Sequence, residues 1–258
     1  MATNDPMNDV RAARGARVVI EREWGRTDQL LRRVSGGAFG TSTRCEGWSI
    51  KELVAHACWG TSYEADGLRR ARTDVVGVAE GTEFGADRSP DLLREQLVAN
   101  GRALVDEIDA FLDLPHDRVV PMPYGGLPVV LALDVFAMEA GLHTSDLAAA
   151  LGEDDRLEPD VCRAALTFLQ AFGPAMADEG AARLGPGNSI GLRCSQGRVR
   201  FVCDEAGWRA DDLDAATTIS GDDSDVVLFA FGRRRIDAVT VEGDPEVAAQ
   251  FKELVPGP

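Results

Sequence analysis

The chain has 258 residues, 45% of them apolar, and a net charge of −16. It is long enough for one large domain or two modest ones, and its acidity argues against a binder of nucleic acid or of anionic membrane, since both need basic patches. The N-terminal stretch MATNDPMNDVRAARGARVV has no apolar core and the five cysteines form no CxxC pair, so the sequence predicts a cytoplasmic protein with reduced thiols and no secretory leader.

Residues 1–9 are expected to be loose. From about Val10 to Val34 the apolar positions, Val18, Trp24 and Leu31 among them, predict an amphipathic helix that ends at Ser35-Gly36-Gly37. Ser49 followed by Glu52 is a capping box, so a second helix should start there and run to about Arg72. Residues 73–89 are rich in glycine and acid and read as a loop. Pro90 opens a third helix to about Leu112, with Leu97, Leu104 and Ile108 near helical spacing. DLPHDRVVPMPYGG reads as a Pro/Gly-rich connection, and Leu127–Leu151 as a fourth, mostly apolar helix. Asp134, Glu139 and His143 interrupt it, so it is not expected to span a membrane. Four such helices predict a bundle.

A fifth helix, about Pro159–Asp178, carries Pro174, which should kink it or end it early. After Gly185-Pro186-Gly187 the pattern shortens. Ser189–Cys194, Arg198–Cys203 and Ala216–Ser220 read as strands, with Gly207-Trp208 as a turn into an extended piece. Ser224–Phe231 reads as a short helix, Ala238–Glu242 as a strand and Pro245–Leu254 as a last helix. The expected organisation is therefore α+β in two domains, a helical bundle over residues 10–184 and a small α+β domain over 185–258.

The fourth helix carries the chemistry. Glu139, His143 and Asp146 are spaced four and three apart and share a stripe on a helix. Burying them costs free energy unless they are paired or bound. With His56 from the second helix, Glu139 and His143 make two imidazoles and a carboxylate, a common catalytic zinc set that leaves a position open. Non-haem iron, nickel and other first-row ions suit the same donors. The alternative is a structural polar pair, Glu139 with His143, and a satisfied core histidine at His56. Asp146 either orients a ligand histidine from behind or faces solvent.

Other features are weaker. His116 lies in the expected loop and reads as a surface histidine. Cys45 is either reactive or a small structural residue. The cluster Arg233-Arg234-Arg235 could offer a two-pronged contact to a carboxylate, or simply end a helix facing water. The GxSxG match at Gly187–Gly191 lacks the strand before and helix after that a nucleophile elbow needs. The glycines around Gly185 follow a helix, not a strand, and do not read as a phosphate loop.

Two runs resemble the signatures of the mycothiol-dependent maleylpyruvate isomerase family: TRCEGWSIKELVAHACW around His56, and EAGLHTSDLAAALG around His143. ISGDDSDVVLFAFGRRRIDAVTVEGDPEVAAQF is similar to that family's C-terminal domain. The resemblance implies a DinB-like four-helix bundle followed by a small, sterol-carrier-like α+β domain. It implies a divalent metal, usually zinc, on His56, Glu139 and His143, and mycothiol, an actinobacterial thiol, as cosubstrate. A metal-bound thiolate would attack an electrophile. In the isomerase the thiolate adds to the double bond of maleylpyruvate, allows rotation and leaves. The resemblance makes Arg233 the candidate catalytic anchor for a carboxylate, with Arg234 as fallback. Cys58-Trp59 and the acidic loop 73–89 stand outside the resemblance.

The functional expectation is therefore a mycothiol-using S-transferase or cis–trans isomerase, monomeric or homodimeric, whose partners are mycothiol and a small electrophile. The competing readings are a non-catalytic DinB-like metal- or ligand-binding protein and, more weakly, an apolar-ligand carrier built on the C-terminal domain.

Overall fold

The computed structural model describes residues 6–83, 85, 87–112, 118–123, 125–177, 188–204 and 207–254. The chain separates into two compact units, Met1–Asp155 and Arg156–Pro258. The first is helical: α1 (Pro6–Leu31), α2 (Ile50–Thr73), α3 (Pro90–Leu112) and α4 (Val129–Ala150). Helices α1 and α2 each pack on both α3 and α4, so the four close a ring around one core. Ile20, Leu53, Leu68, Leu104, Ile108 and Phe136 are buried in it. Polar ties cross the bundle as well. The hydroxyls of Thr27 and Thr144 lie 2.7 Å apart between α1 and α4, and Asn100 Nδ2 on α3 donates to the Cys58 carbonyl on α2 at 2.8 Å.

Local signals explain most boundaries. The Ser49 side chain accepts from the Lys51 amide, and Glu52 reaches back to the Ser49 amide at 2.9 Å, so α2 starts at its capping box. Helix α1 begins at Pro6, before the expected start near Val10, and ends at Leu31 rather than Val34. The connection before α4 is not a plain loop. It holds a hairpin, β1 (Val119–Met122) with β2 (Gly125–Pro128). Val120, Met122 and Leu127 point inward and are buried, which pins the hairpin to the bundle. That alternation is short and sits among prolines, so it does not stand out in the sequence.

The second unit holds α5 (Pro159–Met176) and a five-stranded sheet in the order β5-β4-β3-β6-β7. The strands are β3 (Ser189–Cys194), β4 (Gly197–Asp204), β5 (Gly207–Asp211), β6 (Thr217–Ser220) and β7 (Thr240–Glu242). Neighbours are antiparallel except β3 with β6. Helix α6 (Asp223–Ala230) follows β6, and two short helices, α7 (Pro245–Ala249) and α8 (Phe251–Leu254), replace the single last helix expected. Pro174 lies inside α5 without ending it there.

The expected boundary at residue 184 lies outside the described residues, and the two compact units divide after Asp155. Helix α5 packs on β4, β5 and α6, so it belongs to the sheet. At Gly173 the helix meets Phe201 so closely that an added Cβ would clash with the ring. Among the described residues no helix is long and apolar enough to cross a membrane.

Candidate metal centre

Helix α2 presents His56 and helix α4 presents Glu139, His143 and Asp146. The loop before α2 adds Cys45 and Trp48, which a 3.0 Å bond from the Trp48 amide to the Cys45 carbonyl ties together. Two trios of possible ligands result: His56 with Glu139 and His143, and Cys45 with His143 and Asp146. Within each trio the donor atoms lie within 4.8 Å of one another.

His143 is common to both. Its Nε2 is 3.1 Å from Glu139 Oε2 and its Nδ1 3.6 Å from Asp146 Oδ2. Neither buried nitrogen has a hydrogen-bond partner among the described residues. Burial alone would lower the pKa of His143, but Asp146, Cys45 and Glu139 outweigh it and hold the imidazole well above its ordinary range. His56 goes the other way. Burial first, then repulsion from His143, bring it down to about 4, against a pull from Glu139. It is neutral at pH 7, the form in which an imidazole can bind a metal.

Asp146 is fully buried, so it does not face solvent. It accepts from Cys45 Sγ at 3.2 Å and pairs with Arg44 at 3.3 Å. Arg44 in turn donates to Asp155 and to Ser145, both at 2.8 Å. Cys45 thus donates to the carboxylate that faces His143.

Sequence reasoning missed several neighbours. Glu64, one turn beyond Gly60 on α2, is buried with Oε2 lacking a partner. Burial, and then Glu139, raise its pKa well above the usual carboxyl range. Its spacing from His56 put it next to the same face of α2, but nothing in the sequence separates it from a solvated glutamate. Trp48 and Trp59 flank His56, with ring centroids 4.7 and 5.8 Å from the imidazole. The two imidazoles themselves lie 4.9 Å apart, edge to face.

Arg233 belongs to the second unit, just after α6. Its Nη1 donates to the Phe231 carbonyl at 2.8 Å, and its amide bonds to the Leu228 carbonyl at 2.7 Å. Arg234 pairs with Asp225 at 3.3 Å, and Arg235 is exposed. His116 and the glycines at 185–187 lie outside the described residues. Ser189, the central residue of the GxSxG match, sits in β3 and accepts from the Ala216 amide at 2.9 Å.

A family profile described as the mycothiol maleylpyruvate isomerase N-terminal domain matches residues 20–148, half of the chain. No curated protein matches the chain. Among solved structures, a crystal structure of the mycothiol-dependent maleylpyruvate isomerase is similar over 92% of this chain and 93% of its own, with a TM-score of 0.62 and 19% identity. A histidine-to-alanine mutant of the mycothiol-dependent maleylpyruvate isomerase gives a TM-score of 0.64 at the same coverage and identity. At that identity the likeness is one of fold: a helical first part followed by a strand-rich second part.

Proposed function

The chain belongs to the mycothiol maleylpyruvate isomerase N-terminal domain family, and on that premise we propose that it is a metal-dependent enzyme that uses mycothiol, as an S-transferase or as a maleylpyruvate-type cis–trans isomerase. His56, Glu139 and His143 would hold a divalent ion, with zinc the best match to two imidazoles and one carboxylate. The observation that carries this reading is His143, a buried imidazole whose donor atoms lie within 4.8 Å of those of His56 and Glu139. A bound divalent ion supplies the positive charge that keeps a thiol in its nucleophilic, deprotonated form.

The protein's own groups prepare the site. Asp146 lies 3.6 Å from Nδ1 of His143 and would favour a proton on that nitrogen, which leaves Nε2 to bind the ion. Cys45 and Arg44 hold Asp146 in place. On this account Cys45, His143 and Asp146 orient the ligand set and do not form a second centre. His56, neutral at pH 7, offers a lone pair without first losing a proton. Arg233 is the proposed anchor for a substrate carboxylate in the isomerase branch.

Zinc-loaded protein given mycothiol should turn over either maleylpyruvate or a halogenated nitroaromatic, and His143→Ala should abolish that turnover. Arg233→Ala should remove activity on the diacid and spare an aromatic electrophile. Absence of thiol-dependent turnover with both substrate classes would contradict the proposal.

A further inference from the structure

Trp59 and the acidic loop 73–89, features not matched to the isomerase itself, meet in the fold. After α2 the chain turns back along the helix. The Glu80 amide donates to Asp66 Oδ2 at 2.9 Å and the Thr82 amide to Ser62 Oγ at 2.8 Å. The Ala79 amide bonds to the Pro121 carbonyl at 2.9 Å. Asp66 is itself held by Arg70 at 2.5 Å. This strap presses Gly81 onto the indole of Trp59. A Cβ at Gly81 would lie 2.7 Å from Trp59 Nε1 and 3.0 Å from Tyr63 Cβ, so only glycine fits. On another side Tyr63 stacks on the indole, with centroids 5.2 Å apart and planes 18° from parallel.

The indole is thus held in place, yet it is 36% exposed. Leaving a large apolar ring in water forgoes burial energy, and here the exposed ring is also rigid and adjoins His56 at 5.8 Å. Around the donor atoms, Glu139 and Asp146 are carboxylates, while burial holds Glu64 toward its neutral form. Arg44, the cation beside Asp146, is engaged by Asp146 and Asp155. A flat, electron-poor ligand stacks well on such an electron-rich indole.

We propose that Trp59, fixed between Tyr63 and the backbone of Gly81, is the platform that seats a flat aromatic or conjugated electrophile beside His56, and so sets the substrate class. The inference rests on the metal-and-thiol reading for why a ligand is held there. Its test does not depend on turnover.

Equilibrium dialysis of the zinc-loaded full chain would compare 1,3-dinitrobenzene, an inert flat probe, with maleate. The wild type should prefer the aromatic probe. Trp59→Leu, which keeps an apolar side chain but removes the ring, should weaken that binding roughly three- to tenfold. Trp59→Phe should retain most of it, and zinc content should be unchanged in both variants. Gly81→Val, which displaces the indole, should act like Trp59→Leu. Equal affinity in wild type and Trp59→Leu, a preference for maleate, or Trp59→Phe binding as poorly as Trp59→Leu would each overturn the assignment. A protein that holds no zinc but still binds the aromatic probe through Trp59 would sink the metal reading and leave this one standing.

Discussion

The two units bury polar groups in different ways. In the second, the buried polar residues among those described are Ser189, Thr217 and Ser224. Each accepts from a nearby amide, of Ala216, Asp244 and Leu157 respectively. They are small, neutral and locally satisfied, and they tie loops to the sheet. The first unit buries five carboxyl side chains: Glu23, Glu64, Asp66, Asp134 and Asp146. Two of these crowd around His143, and one of them, Glu64, has an oxygen with no partner. Packing alone does not call for that, because a buried unsatisfied polar group costs about 1–3 kcal/mol. In the bundle one such carboxyl sits where the imidazoles converge, whereas the buried hydroxyls of the sheet unit are all satisfied.

The contrast makes opposite demands on mutations in the two units. The largest stability effect should come from the sheet unit. Phe201 is fully buried against Phe251, with ring centroids 5.9 Å apart. Phe201→Ala should cost about 3–5 kcal/mol in denaturant unfolding and leave metal content per folded chain unchanged. A change in metal content would mean that the two units are not as separate in role as described.

In the bundle the effect should fall on binding. Asp146→Asn should weaken zinc affinity about 10–100-fold, measured by competition with a chromogenic chelator, because His143 loses the carboxylate that orients it. Unchanged affinity would demote Asp146 to a packing residue.

The smallest effect should be a gain. The folded-state pKa of Glu64 is raised by burial and then by Glu139. The stability associated with its proton is whole below about pH 4.5 and is lost as pH rises toward the raised value. Glu64→Gln should remove that downward slope and stabilise the protein near neutral pH by roughly 1 kcal/mol. Parallel pH profiles for wild type and variant would contradict it.

Much of this was legible in the sequence, for reasons that differ by residue. The start of α2 follows from two residues three apart, Ser49 and Glu52. Glu139 and His143 fall four apart in a mostly apolar run, and His56 shares a face with Leu53 in another. Strands β3 and β6 show their pattern over four or more residues. What was hidden depended on partners. Helix α5 has a clear apolar face, but a face does not say whether it will cover a bundle or a sheet. The role of Gly173 became visible only against Phe201. Asp146 could be placed on the stripe but not given its depth, which depends on Arg44 and Cys45 arriving from a loop a hundred residues away in sequence. Glu64 looks like any surface glutamate until α4 covers it.

The most direct test of the central claim is metal content by elemental analysis, on protein produced with zinc present, for the wild type and for His56→Ala. The account predicts about one ion per chain in the wild type and loss of it in the variant. A wild-type protein without metal under those conditions would contradict it. Glu139 and His143 would then be a structural pair, and the family fold would be present without its metal chemistry.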